Sequence, residues 1–251
     1  EPISWEMLGP LLGRGRVADV HAWGEHAIKL YHPGSGKTAA FVEAAMLAVV
    51  EDHALPVPRV HGAGNYDGRW GLVMDRVEGE TLGAWAMADA SRSGTAFDEM
   101  VRLQLLVHSK REIRLRPLKG RLADSIGRAA AIEYVLKRML LERLDTMPDG
   151  DRLCHGDFHP FNIIGRGAGA KIVDWLDTTV GSPAADACRS YLLLRQGAAQ
   201  FAEGYLDRYA AAARIARDGI LAWLPVVAAA RLAEGIAEEE ASLVAMAQGV
   251  R

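Results

Sequence analysis

The chain has 251 residues, of which 50% are hydrophobic and 24% charged, and its formal net charge is −3. That length allows one large domain or two fused lobes with a real core, and the near-neutral charge gives no basic footprint for nucleic acid. Two cysteines, Cys154 and Cys188, with no Cys-x-x-Cys, exclude a disulfide-dense secreted scaffold and a paired-cysteine metal motif.

Residues 7–13, 16–23 and 26–31 predict three short strands separated by glycine-containing turns. A helix follows over 37–51, with Ser35 as its N-cap and Phe41, Ala44, Ala45, Leu47 and Ala48 as its buried stripe. Pro56 and Pro58 end it. Residues 59–64 and 70–77 predict two more strands, joined by the turn Asn65-Tyr66-Asp67-Gly68-Arg69. After Gly79 the pattern turns helical. Helices are expected over 81–89 and 97–109, and one long amphipathic helix over 125–146. Its core would be Ile126, Ala130, Val135, Met139, Leu140 and Leu144. Two strand-like runs, 162–164 and 171–173, bracket residues 165–169. From Pro183 onward the sequence is Ala-rich and helical, with breaks near Gly197, Gly219 and Gly235. Strands first and helices after predict two lobes, 1–77 and 78–251, rather than alternating βαβ units. The start of the sequence lacks the charged and apolar regions of a signal peptide. The most apolar stretch, 220–230, is short and contains Pro225, so it predicts no membrane span. A cytoplasmic location is the expectation.

The run His155-Gly156-Asp157-Phe158-His159-Pro160-Phe161-Asn162, followed by Ile172-Val173-Asp174-Trp175, carries the chemistry. Phosphoryl transfer to an alcohol needs the hydroxyl aligned and the phosphate charge neutralised. A carboxylate such as Asp157 orients the hydroxyl and takes its proton. Asn162 and Asp174 supply oxygen ligands of the kind Mg²⁺ prefers. The Asp-x₄-Asn spacing and the later Asp match the kinase catalytic loop and metal-binding Asp, and His-Gly-Asp in place of His-Arg-Asp resembles the aminoglycoside-phosphotransferase and choline-kinase family.

That resemblance extends through the first third of the chain. Gly13-Arg14-Gly15 within 12–20 resembles a phosphate-covering loop, although Ala18 stands where a third glycine belongs. Lys29 in Ala27-Ile28-Lys29 resembles the phosphate-binding strand lysine, and Glu43 on the next helix its ion-pair partner. Met74-Asp75-Arg76-Val77 would form the hinge, where Met74, Asp75 and Val77 offer backbone groups to adenine. Gly34-Ser35-Gly36-Lys37-Thr38 imitates a Walker loop but has Tyr31 where the first glycine is required. Only eleven residues separate Asp174 from Asp186 and no Ala-Pro-Glu follows, so no peptide-docking platform fits and a small-molecule acceptor is implied. Asp186 resembles the Asp that braces the catalytic loop; an N-cap is the plain alternative. Asp177 could face metal or substrate, or cap a turn. Among the C-terminal acids, Glu234 and Glu238-Glu239-Glu240, Glu238 is a candidate for a cationic acceptor, while solvated helix acids are the plain alternative. Trp223 and Tyr205 could wall the acceptor site, with core packing the expected role of each.

The resemblance implies a bilobal protein-kinase-like α+β fold, with a small antiparallel-sheet lobe and a larger helical lobe. It implies ATP (or GTP) as co-substrate with Mg²⁺, and no nucleic-acid or membrane partner. The acceptor would be an aminoglycoside-like amino compound; a choline or amino-alcohol kinase is the alternative, and a kinase-like module without turnover a third. Resistance and metabolism both remain open as roles, as does the oligomeric state.

Overall fold

A computed structural model describes residues 8–197 and 199–249. Met7, the first residue of the first expected strand, lies outside them. The described residues form two compact units. Unit 1 holds residues up to Leu82 together with Ile163–Leu176, and unit 2 holds Gly83–Asn162 and the residues from Asp177 on.

Unit 1 is built on β1 (Leu8–Arg14), β2 (Ala18–Trp23), β3 (His26–Tyr31), β4 (Val60–Tyr66) and β5 (Arg69–Asp75). They make one antiparallel sheet in the order β1-β2-β3-β5-β4. The β4–β5 hairpin turns at Asp67 and Gly68, both at positive φ, and the Asn65 side chain accepts from the Gly68 N–H. β3 is central and buried on both faces, which explains its nearly unbroken apolar run. One face packs Trp23, Ile28, Leu30, Tyr66 and Val73. The other gathers Ala18, Tyr31, Leu72 and Ala40 of α1 (Lys37–Glu51). Leu72 is fully buried, so Leu72→Ala would cost about 2–5 kcal/mol. The short pair β7 (Ile163–Ile164) and β8 (Lys171–Ile172) completes the unit. It is tied in by the Ile172 N–H to the Pro56 carbonyl, 2.7 Å, and the Gly165 N–H to the Glu80 carbonyl, 3.1 Å.

α1 has the predicted bounds, but of the predicted stripe only Leu47 is buried. Ala40, Glu43, Leu47 and Val50 face inward, and Phe41 is half exposed. The stripe follows one helix face by steps of three and four, and it includes a glutamate because that glutamate is paired. The N-cap is Gly36 without a side-chain cap; Ser35 instead donates its backbone N–H to the His32 carbonyl.

Unit 2 is helical. α2 (Leu82–Met87) begins at the boundary, and α3 (Ser93–His108), α4 (Leu118–Arg128) and α5 (Tyr134–Thr146) follow. The single long helix expected over 125–146 is therefore two helices. Ala129 and Ile132 are buried in the break, and Lys137 donates to the Gly127 carbonyl freed at the end of α4. The break resets the helical phase. Ile126, Leu140 and Leu144 are core as expected, whereas Ala130, Val135 and Met139 are exposed. β6 (Arg152–Cys154) and β9 (Thr179–Gly181), which the sequence pattern did not announce, pair antiparallel on either side of residues 155–178 in sequence. α6 (Pro183–Gly197), α7 (Ala199–Ala213), α8 (Arg217–Leu221), α9 (Leu224–Arg231) and α10 (Ala237–Ala247) complete the chain. The break expected near Gly219 falls on both sides of the short α8, which contains Gly219, and Gly235, at φ 68°, ends a short 3-10 turn in the left-handed conformation. Trp223 and Tyr205 are fully buried, as core residues.

Candidate active site

Unit 1 gathers three of the sequence-selected residues. Lys29 on β3 donates to Glu43 Oε1 of α1 at 2.7 Å and to Asp174 Oδ1 at 3.0 Å. Lys29 and Glu43 are both buried. Burial by itself would lower the lysine pKa; the charges of Glu43 and then Asp174, with their hydrogen bonds, outweigh it and hold the ammonium above its ordinary value. Tyr31 stands two residues beyond Lys29, on the same strand face, and its hydroxyl donates to Glu43 Oε2. Glu43 thus has a donor on each oxygen. Sequence reasoning passed over Tyr31, although the two-residue period of a strand points to it.

Asp174 follows β8 with φ 64°. Left-handed backbone is uncommon for a residue with a side chain, though Asp adopts it more readily than most. It is the kind of local strain, about 1–3 kcal/mol, that persists where the surroundings fix it. Trp175 fixes it here: its ring is buried and its Nε1–H donates to the Ile172 carbonyl at 3.0 Å. Gly13 and Arg14 end β1 and Gly15 opens the turn to β2. The Gly15 N–H donates to the Ala18 carbonyl at 2.9 Å, and a Cβ on Gly15 would meet that oxygen at 2.9 Å, so the tight turn requires glycine. Arg14 is largely exposed. Met74 and Asp75 close β5, with Val77 two residues on; the Asp75 carboxylate is held by Arg59 and His61.

Unit 2 places Asp157 and Asn162 together. The Asn162 amide nitrogen donates to the Asp157 carbonyl at 2.9 Å and to Asp157 Oδ2 at 3.3 Å. Its nitrogen is spent on the loop, and its amide oxygen remains to accept or ligate. Asp157 Oδ2 lies 3.5 Å from His159 Nε2, and Oδ1 lies 3.7 Å from Arg189 Nη2. Burial opposes the charge on Asp157; the His159 hydrogen bond and the Arg189, His159 and His155 charges outweigh burial and hold the carboxyl far below the ordinary carboxylate range.

The loop itself is anchored by Asp186 of α6. Asp186 is buried and accepts from the Gly156 N–H at 2.7 Å and the His155 N–H at 3.3 Å. His108 Nε2, 2.9 Å away, donates to the same carboxylate, so Nδ1 is left to accept from the Tyr209 hydroxyl at 2.7 Å. Asp186 is the loop brace rather than a helix cap. Gly156 has φ 83°, and a Cβ there would lie 2.3 Å from the Asp177 carbonyl. Hence the arginine of the kinase His-Arg-Asp triplet has no room at this position.

Arg189 was missed in the sequence. It lies one helical turn after Asp186 on α6, so a residue bracing the loop implies that the residue three positions on faces it too. Arg189 donates to the Gly156 carbonyl at 3.3 Å and to Glu234 Oε1 at 2.6 Å. Arg231 then joins Glu234 at 2.6 Å to Glu239 at 2.8 and 2.9 Å. Asp177 pairs with Arg121 at 2.7 Å, and Glu238 sits exposed on the first turn of α10.

The sequence model of the phosphotransferase enzyme family matches residues 16–223. The chain belongs to this family. No curated protein sequence matches it. Among solved structures, the phosphotransferase is similar to a thermostable mutant of aminoglycoside phosphotransferase APH(4)-Ia in a ternary complex with ADP and hygromycin B. The TM-score is 0.69 and the identity 12%, covering 96% of this chain and 90% of that one. It is similar to aminoglycoside phosphotransferase APH(3'')-Id from Streptomyces rimosus, in complex with ADP and streptomycin, at TM-score 0.62 and 19% identity over 84% of this chain and 90% of that one. It is also similar to choline kinase LicA from Streptococcus pneumoniae, at TM-score 0.65 and 17% identity over 97% of this chain and 92% of that one. At these identities the likeness establishes the fold: a bilobal kinase-like fold with an antiparallel-sheet lobe and a helical lobe. Among the described residues, no helix is long and apolar enough to cross a membrane.

Proposed function

We propose that this phosphotransferase moves the γ-phosphate of ATP or GTP onto a hydroxyl of a small amino compound of the aminoglycoside kind. The observation that carries it is the buried Lys29 held between Glu43 and Asp174 in a chain whose family is phosphotransferase. A cation fixed in this way is preorganised for phosphate oxygens and needs no rearrangement when charge develops on them.

In this reading the acceptor hydroxyl oxygen attacks the γ-phosphorus, the bond from that phosphorus to the β–γ bridging oxygen breaks, and a nucleoside diphosphate leaves. The hydroxyl proton passes to Asp157. A carboxylate with so low a pKa is a weak base, so its main contribution is to orient the hydroxyl, and the proton arrives late; a loose phosphoryl transition state asks for no more. Arg189 positions Asp157 through the Gly156 carbonyl and Asp157 itself. Asn162 and Asp174 would each supply an oxygen donor of the kind Mg²⁺ prefers. Bound with the nucleotide, that ion would neutralise phosphate charge. Gly13, Arg14 and Gly15 would cover the phosphates, and the backbone of Met74, Asp75 and Val77 would take the adenine. Asp177 and Glu238 are acceptor-side candidates. The likeness to choline kinase LicA favours amino alcohols as the second acceptor class.

A panel of nucleotides with Mg²⁺, aminoglycosides and amino alcohols tests this, read first as thermal stabilisation and then as acceptor-dependent release of nucleoside diphosphate. A ligand at a hundred times its dissociation constant adds about 2.7 kcal/mol of stability. No stabilisation by any nucleotide with Mg²⁺ would overturn the proposal.

A further inference from the structure

Unit 1 carries a second set of donor side chains, which includes the side chain of Asp75, whose backbone belongs to the proposed adenine hinge. His26 opens β3 and Asp75 closes β5, and the register sets them directly opposite one another. Residues so paired present their side chains on one face of the sheet. On β4, Val60 pairs with Met74 and Gly62 with Val73, so His61 is the extra residue of a bulge. Bulges re-aim a side chain, and His61 Nε2 lies 2.7 Å from Asp75 Oδ1. The two imidazole rings are 4.4 Å apart between centroids. One ligand atom from each of the three residues falls within 4.8 Å of the others.

We propose that His26, His61 and Asp75 form a binding site for a divalent transition metal of the zinc class. Two imidazoles and one carboxylate suit zinc, cobalt or nickel and not the all-oxygen preference of Mg²⁺. Three protein ligands leave the fourth position of a tetrahedral ion to water. The carboxylate is already oriented: Asp75 Oδ2 accepts from the Arg59 N–H at 3.1 Å and from Arg59 Nε at 3.2 Å, which turns Oδ1 to His61. With bonds of about 2.0–2.1 Å, tetrahedral donors stand roughly 3.3 Å apart. His61 and Asp75 would separate by about half an ångström. The Arg59 guanidinium opposes a cation, but its side chain is 73% exposed and its charge is screened. The bound ion would tie the ends of three strands together.

The test is a Co²⁺ titration of the full chain, free of any polyhistidine tag and in excess Mg²⁺. The expected result is one equivalent bound with the intense visible absorption of a four-coordinate cobalt, displaced by Zn²⁺. His61→Ala should weaken it at least about a hundredfold, and His61→Cys, which keeps a ligand, should restore a four-coordinate spectrum. His53→Ala, on the turn after α1, should leave it unchanged. Absence of a saturable four-coordinate signal, or the same signal in a folded His61→Ala protein, would overturn the site.

Discussion

In unit 1 one buried cation is shared by two carboxylates: Lys29 lies between Glu43 and Asp174. Unit 2 inverts the arrangement, with a carboxylate, Asp157, set among an amide, a histidine and an arginine. Each cluster protects the charge that its proposed task requires. A lysine that must meet phosphate keeps its proton because anions flank it, and an aspartate that must face a hydroxyl stays ionised because donors flank it. The cores differ as well. Unit 1 seals its cluster with one tyrosine on a central strand, whereas unit 2 uses a buried polar chain from Tyr209 through His108 and Asp186 to the loop backbone.

Removing the carboxylate proposed to face the acceptor hydroxyl should give the largest effect. Asp157→Asn is expected to lower turnover by at least about a hundredfold with nucleotide affinity kept, since positioned proton transfer contributes about 10²–10⁴. Steady-state rates beside nucleotide titration check it; a rate unchanged by the substitution would remove Asp157 from its role. Lys29→Ala and Asp174→Ala should instead fail at the nucleotide. Calorimetry of ATP with and without Mg²⁺ should show Lys29→Ala weakened in both conditions and Asp174→Ala weakened only where Mg²⁺ is present. An equal Mg²⁺ enhancement in wild type and Asp174→Ala would refute a metal role for Asp174.

Stability separates the units next. Asp186→Ala leaves His108 and two loop N–H groups without their acceptor in a buried place, so denaturant unfolding should show a loss of about 3–5 kcal/mol. Arg189→Met should act more mildly, through the pH profile. Arg189 is one of the charges that depress Asp157, so its loss should raise that pKa and move the acid limb of the rate profile to higher pH. A purely structural role for Arg189 would lower the rate without moving the limb.

The smallest expected effect is in the pH dependence of stability, and its sign differs between the clusters. Lys29 has a raised folded pKa, so its contribution is complete below the ordinary value of 10.5 and is lost as pH rises through the folded value. Asp157 has a depressed one, so its contribution is complete above 3.8 and is lost as pH falls through the folded value. The stability gap between wild type and Lys29→Met should therefore close in alkali, and the gap to Asp157→Asn in acid.

Much of the unit 1 sheet was legible in residue order, because strands, turns and α1 are set by local preferences: β-type residues, the Asn-Tyr-Asp-Gly turn and the prolines after α1. The Asp-x₄-Asn spacing also announced that Asp157 and Asn162 share one loop, where the Asn162 amide meets Asp157. Tertiary structure decided the rest. It placed Glu43 in the buried stripe of α1, against the usual exposure of glutamate, because Lys29 on another element neutralises it. It broke the helix expected over 125–146, because burying Ala129 and Ile132 outweighed continuing a favourable helical run. It grouped Asp174 with the strand lysine and left Asp157 with the helices. It also brought Arg189 and Glu234 to the loop that carries Gly156 and Asp157, and His61 to His26 and Asp75. Spacing along a chain specifies what neighbours in sequence share. Charges that meet across elements are specified only when packing decides which of them lose water together.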